Sequence, residues 1–213
     1  MTKVLVVDDH PIIRRGLVGL INLQKDMDVC GEASREEEAT AAIEILKPDV
    51  IVLDLMLHQK DGIETIRKWN SLFPGVTVLV LSAQDENIYA ERVIKAGGRG
   101  FIEKSQATEE VLTAIRLVRA GKIYVSRHIA ARLFSDKLEA TRIADQELAK
   151  LTDRELHIFQ LIGSGLANRN VARKLNVSVK TIETHRENIK NKLNLPDSFA
   201  LSERARRWVL EGR

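Results

Sequence analysis

One cysteine, Cys30, stands in a chain of 213 residues, so no internal disulfide is available to hold it together. So few thiols suit a reducing interior, and the expected location is the cytoplasm. No apolar run approaches the roughly 20 residues that a bilayer-spanning helix needs, which argues against membrane insertion. The start of the chain is not a secretory signal, because the apolar stretch Val4–Val7 is short and runs into the carboxylates Asp8-Asp9. Also missing are a nucleophile elbow, a phosphate-cradling glycine loop and a histidine–cysteine metal cluster, so the expectation is that the chain is not an enzyme. What remains is ordinary globular composition, 44% hydrophobic and 30% charged, long enough for two small domains.

The net charge of +3 is unevenly spread. Residues 151–213 hold 12 Lys and Arg against 7 Asp and Glu, whereas residues 1–150 hold 21 against 23. The C-terminal third is therefore the part suited to a polyanion. Texture divides the chain in the same way. Up to Gly121, short β-rich runs (Val4–Val7, Asp28–Cys30, Val50–Leu53, Val76–Leu81, Gly100–Ile102) alternate with helical patterns (Ile12–Ile21, Arg35–Leu46, Ile63–Leu72, Ile88–Ala96, Glu109–Arg119). Such alternation predicts a doubly wound α/β fold, a parallel sheet with helices on both faces. Ser34 with Glu37 reads as a capping box for the second helix, with Pro48 beyond its end.

After Gly121 the alternation stops. Residues 127–138 form one amphipathic stretch (Ile129, Leu133, Phe134, Leu138), and Glu139–Gln146 reads as a linker. Thr152 with Glu155 makes a second capping box, opening a helix to Ile162 that Gly163-Ser164-Gly165 ends. A short helix from Ala167/Asn168 to Leu175, a turn at Asn176–Ser178, and a long polar helix Val179–Leu193 match a helix-turn-helix. A last helix after Pro196-Asp197-Ser198 reaches Leu210. The expected domains are 1–121, a helical segment and linker over 122–147, and a small all-α domain over 148–213.

Polar residues gather at the carboxyl ends of the expected strands, where open parallel sheets bind ligands. Asp8 and Asp9 follow the first strand, Asp54 ends the third, Ser82 the fourth, and Lys104 follows the fifth. Three carboxylates on one rim repel unless a cation sits among them, and hard oxygen ligands suggest Mg²⁺. Taken singly, each Asp is more often a cap or turn residue, Ser82 a turn and Lys104 a solvated charge. The joint pattern over five strand ends is the signal.

Val6-Val7-Asp8-Asp9-His10, Asp49–Leu55, Leu81-Ser82-Ala83 and Gly100–Lys104 resemble, in order, the four signature blocks of receiver domains. The resemblance covers about residues 3–121 and implies a flavodoxin-like (βα)5 fold of strand order 2-1-3-4-5. It implies that Asp54 takes phosphoryl from a phosphohistidine. Asp9, Asp54 and the backbone carbonyl of Met56 would hold Mg²⁺, with Asp8 acting mainly through a water ligand. Ser82 would hydrogen-bond the phosphoryl group, Lys104 would ion-pair with it, and Phe101 would be the aromatic switch. Two departures from the family stand out. Ser105 replaces the usual proline after the lysine, which puts a cis Lys104–Ser105 bond in doubt. Phe101 lacks the hydroxyl of the commoner tyrosine.

Leu151–Glu155, Gly165–Asn168, Val171–Leu175 and Val177–His185 are similar to the effector domain of LuxR-type regulators, so the whole resembles the NarL/FixJ response regulators. Ile182, Ile189 and Leu193 form the packing stripe of the long helix. Lys180, Glu183, Thr184 and Glu187 are expected to face bases, with Thr181, His185, Arg186, Lys190 and Lys192 nearer phosphates or packing. A solvated face is as good an account of Arg186, Lys190 or Lys192 taken alone. The resemblance implies a phosphorylation-gated, sequence-specific transcription factor. Its partners would be double-stranded DNA, a sensor histidine kinase and, when phosphorylated, a second copy of itself. Two rivals stay open: a constitutive DNA-binding protein, and an enzyme or phosphorelay intermediate whose helical tail docks proteins.

Overall fold

The computed structural model describes residues 1–57, 62–134, 147, 148 and 150–211. The chain falls into two compact units, Met1–Ser135 and Asp136–Arg213.

In the first unit five strands alternate with helices: β1 (Thr2–Val7), α1 (Pro11–Asn22), β2 (Met27–Ala33), α2 (Glu36–Leu46), β3 (Val50–Leu53), α3 (Gly62–Leu72), β4 (Thr77–Ser82), α4 (Glu86–Lys95), β5 (Gly100–Glu103), α5 (Ala107–Arg119) and α6 (Arg127–Phe134). The sheet order is β2-β1-β3-β4-β5 with parallel pairing throughout, as expected. Strands buried on both faces read as continuous apolar runs, which is why Val4–Val7 and Val50–Leu53 are so legible. One face packs Val4, Val6, Val50, Val52, Leu79, Leu81 and Ile102 on Leu17 and Ile21 of α1 and Val111, Ile115 and Val118 of α5. The alternate residues Leu5, Val7, Ile51, Leu53, Val80 and Phe101 are equally buried and belong to the other face by the two-residue period. Trp69 of α3 is fully enclosed, its indole N–H donating to Thr40 Oγ1 at 3.0 Å.

Element ends follow local chemistry. Pro11 opens α1, where its fixed φ and missing N–H cost nothing. Asp85 caps α4, accepting from the Asn87 N–H at 2.9 Å. Lys47 ends α2 in the left-handed region at φ 50°, one residue before Pro48. The expected Ser34–Glu37 box is corrected: Ser34 donates from its N–H and its hydroxyl to Glu38 Oε2, at 2.8 and 2.9 Å, and α2 begins at Glu36. Cys30 is half-buried at a register shift of β2 against β1, its Sγ 3.4 Å from the Val4 carbonyl. The Lys104–Ser105 peptide is trans.

In the second unit, α7 (Asp153–Gly163), α8 (Asn168–Lys174), α9 (Val179–Lys192) and α10 (Ser198–Glu211) pack around Leu156, Phe159, Val171, Ile182, Ile189, Leu201 and Ala205. The capping box at Thr152 forms as read, with both reciprocal bonds present. Ser178 caps α9, accepting from the Thr181 N–H at 3.0 Å. Phe159 of α7 meets Trp208 of α10 with ring centroids 5.7 Å apart. Gly163 lets the two helices close, since a Cβ there would stand 2.4 Å from the Ala205 carbonyl oxygen. Leu138 and the expected linker Glu139–Gln146 lie outside the described residues.

Candidate functional site

β1 and β3 lie side by side in the sheet, so their carboxyl ends bring Asp8, Asp9 and Asp54 together. One ligand atom from each of Asp8, Asp9, His10 and Asp54 lies within 4.8 Å of all the others. Asp8 and Asp54 are buried, at 2% and 4% side-chain exposure, while Asp9 keeps 20%. Lys104, delivered by the end of β5, sits between the two buried carboxylates, with Nζ 2.7 Å from Asp8 Oδ2 and 2.7 Å from Asp54 Oδ2. Burial pushes the Asp54 carboxyl above its ordinary pKa, with Lys104 pulling against it and Asp8 adding to the rise. The same partners hold the Lys104 ammonium above its usual range although burial opposes them.

Loop geometry fixes the rest of the rim. The Met56 N–H donates to Asp54 Oδ1 at 3.2 Å, so the turn after β3 folds back on the acidic side chain. Ser82, fully buried at the end of β4, accepts from the Gln84 N–H at 3.1 Å through Oγ, and its carbonyl accepts from the Lys104 N–H at 2.7 Å. Phe101 is buried within β5. Asp8, Asp9, Asp54 and Lys104 therefore meet in one cluster, with Ser82 and Phe101 in the neighbouring strands β4 and β5. Sequence reasoning missed His10, whose Nδ1 lies 2.7 Å from Asp9 Oδ1 and 3.2 Å from Asp8 Oδ1. The signal was its place directly after the two aspartates. Arg14 was also missed; it donates to the Asp8 carbonyl at 2.7 Å and steadies the loop.

In the second unit α9 turns Ile182 and Ile189 fully inward and half-buries Leu193, as its stripe predicted. Lys180, Glu183, Thr184 and Glu187 are exposed, and Thr181, His185 and Arg186 half-buried. Lys190 folds back along its own helix, 2.8 Å from Glu187 with 15% of its side chain exposed. Lys192 is turned inward, to Glu155 Oε2 at 2.6 Å, the same oxygen that accepts from the Thr152 N–H at 2.9 Å. Burial and the positive Arg154 hold the His185 imidazole below its ordinary pKa.

The two folds and the pocket define a class. The family model of the response regulator receiver domain matches residues 4–116, and that of the luxR family of bacterial regulatory proteins matches residues 149–204. This chain belongs to the response regulators that join a receiver domain to a luxR-type domain, and it is a phosphorylation-controlled, DNA-binding regulator of transcription. It is 33% identical over 209 residues to the oxygen regulatory protein NreC of Staphylococcus epidermidis, covering 95% of this chain and 96% of the relative. With NreC of Staphylococcus aureus the identity is 35% over 211 residues, again with 95% and 96% covered. Among solved structures, a LuxR-family two-component response regulator from Aurantimonas shares 31% identity with a TM-score of 0.57, covering 61% of this chain and 94% of that one. RcsB from Salmonella enterica serovar Typhimurium, bound to a promoter in the presence of the phosphomimetic BeF3⁻, is alike in fold, with 24% identity, a TM-score of 0.58, and 95% and 97% covered. No helix among the described residues is long and apolar enough to cross a membrane.

Proposed function

We propose that Asp54 accepts a phosphoryl group from a phosphohistidine of a sensor kinase, and that this modification gates the reading of double-stranded DNA by α9. The observation that carries the reading is the placement of one buried carboxylate, Asp54, 2.7 Å from a lysine and within an acidic cluster. An Asp54 oxygen attacks phosphorus, the P–N bond of the phosphoimidazole breaks, and the leaving imidazole keeps the bonding pair and takes up a proton. Lys104 stands where negative charge accumulates on the transferring group and ion-pairs with the acyl phosphate formed. Ser82 supplies a hydroxyl to the phosphoryl oxygens, and Phe101 is the buried aromatic whose packing responds.

The cluster fits a hard divalent cation. Three carboxylates face one ammonium within a few ångströms, an imbalance that a cation corrects. We assign the ion as Mg²⁺, held by Asp9, Asp54 and the backbone carbonyl of Met56, with Asp8 acting through a water ligand. Bound there, it supplies positive charge beside the transferring phosphoryl oxygens.

On α9, Lys180, Glu183, Thr184 and Glu187 are the residues we place against base edges. Thr181, His185, Arg186 and Lys190 then lie nearer the backbone or the scaffold. Residues 1–121 would form the receiver, 122–147 a helical segment and linker, and 148–213 the DNA-binding domain. The protein would act in the cytoplasm, as a homodimer when phosphorylated, since two-fold proteins read two half-sites. It is read as a regulator and not as an enzyme. Labelling by ³²P-acetyl phosphate with Mg²⁺, followed by selection from random duplex DNA, tests the whole. Label is expected on wild type and absent from Asp54→Asn, with selected DNA bound more tightly after labelling. Full labelling of Asp54→Asn overturns the acceptor, and equal DNA affinity in both states overturns the gate.

A further inference from the structure

The segment that follows α5 does not leave the first unit. Residue 124 adds a one-residue parallel bridge to the free edge of β5, opposite Gly100. The Phe101 N–H donates to the Tyr124 carbonyl and the Tyr124 N–H to the Arg99 carbonyl, each at 2.9 Å. Gly100 permits this approach, since a Cβ there would meet the Tyr124 carbonyl oxygen at 2.8 Å and the Tyr124 Cβ at 3.1 Å. Burial and a hydrogen bond to Glu110 of α5 push the Tyr124 hydroxyl up to about 12.

Two residues on, the Ser126 N–H donates to Glu86 Oε1 at 2.8 Å, and Ser126 Oγ caps α6 by accepting from the Ile129 N–H at 3.3 Å. Ile129 is 2% exposed, and α6 packs on α4. Glu86 is the first residue of α4, and its own N–H donates to Glu103 Oε1 at 3.1 Å. Glu103 directly precedes Lys104. Only three residues, 83–85, separate Ser82 from Glu86, and the loop begins with the Ser82 Oγ–Gln84 N–H bond. One carboxylate therefore ties the start of α6 to the point where the Ser82 loop and the Lys104 strand meet.

We propose that α6 is a strap held on α4 by the Glu86–Ser126 bond, and that phosphorylation of Asp54 releases it. The inference rests on Asp54 being the phosphoacceptor. When Ser82 and Lys104 move toward a phosphoryl group, the short loop carries Glu86 with them, while Ser126 stays anchored through Tyr124 to the outer edge of β5. The bond between them is the one that must stretch. Glu86 is in these terms a positioning residue: it touches neither the phosphoryl group nor DNA, and it sets whether the segment leading to the second domain is docked or free.

Hydrogen exchange of the full-length protein, read by mass spectrometry with and without Mg²⁺ and BeF3⁻, tests this. Amides of 126–134 are expected to exchange at least fivefold faster once BeF3⁻ is present, about the effect of one lost hydrogen bond. Glu86→Ala should give that faster exchange without BeF3⁻, leave β1 and β3 protected, and show little further change on adding it. Ser126→Pro, which removes both the N–H donor and the hydroxyl that caps α6, should speed exchange at least as much, so Glu86→Ala, which spares the cap, is the variant that isolates the strap bond. Unchanged or slower exchange of 126–134, while peptides around Asp54, Ser82 and Lys104 gain protection, overturns the strap. A lack of protection around Asp54 itself overturns the phosphoacceptor reading instead. Both variants leaving 126–134 as protected as in wild type would likewise overturn the strap, and not the phosphoacceptor.

Discussion

Replacing Asp9 by Asn should make the receiver unit more stable and its metal binding worse. Asp9 lies within 4.8 Å of both Asp8 and Asp54, and the nearby ammonium of Lys104 is engaged 2.7 Å from each of those two. At an effective dielectric of about 20, unit charges at that separation repel by about 3 kcal/mol per pair. Asp9 is 20% exposed and also meets His10 at 2.7 Å, so screening and the lost contact remove much of this repulsion. A net gain of about 1–2 kcal/mol remains, or roughly 4–8 °C in the melting temperature of a domain this size. Wild type should gain about 1.4 kcal/mol from Mg²⁺ at ten times its dissociation constant, and the variant almost none. Calorimetry at low salt, with and without Mg²⁺, measures both quantities. The two melting curves should therefore exchange order, with the variant ahead in EDTA and behind or level in saturating Mg²⁺. A variant that melts lower in EDTA, or gains as much from Mg²⁺ as wild type, would refute the claim that this cluster is strained for the sake of a cation.

Four further outcomes concern the second unit. Burial, reinforced by the positive Arg154 and Lys174, holds His157 down at about 4 from its ordinary 6.5. The unfolded chain thus takes up a proton that the folded one refuses. Stability should be full above pH 6.5 and fall by up to about 3 kcal/mol as pH drops toward 4, and His157→Gln should flatten that slope in urea titrations. Gly163→Ala gains about 1 kcal/mol of helix propensity but drives a Cβ to 2.4 Å from a backbone oxygen that cannot swing aside, for a net loss of about 2 kcal/mol seen by thermal circular dichroism. Lys192→Met strands Glu155, at 4% exposure, beneath the capping box and should cost about 1–2 kcal/mol once the lysine's partial exposure is allowed for. Because that charge is engaged internally, the salt dependence of DNA binding should stay as in wild type. Lys180→Ala, by contrast, should cost about 1–3 kcal/mol in affinity for the selected duplex and relax the preference at the base pair it reads, checked by titrating single-base variants of that site.

The strands and the pocket were legible because each signal is local: an uninterrupted apolar run ending in a polar residue places that residue on the rim. Strand order followed from the family resemblance and not from periodicity. Where several local solutions compete, sequence could not choose among them. Glu36, Glu37 and Glu38 stand in a row after Ser34, and the three-residue spacing favoured Glu37, whereas the observed start of α2 places Glu38 within reach of Ser34. Pairings across long separations were out of reach. Lys192 reads as a solvated cation until α7 brings Glu155, 37 residues away in sequence, to 2.6 Å. The bridge at Tyr124 involves a single residue and so leaves no period to detect. His10 is not assigned by sequence alone, because an imidazole beside two carboxylates is equally common as a turn residue.

Each compact unit holds one of the two tryptophans, and their surroundings differ. Trp69 is sealed from solvent and donates to a threonine hydroxyl, whereas Trp208 is half-buried beside an aromatic ring. Near-ultraviolet emission therefore comes from one short-wavelength source in the first unit and one partly wetted source in the second. Trp69→Phe would leave an optical reporter confined to the helical unit, able to follow that half alone without any attached dye.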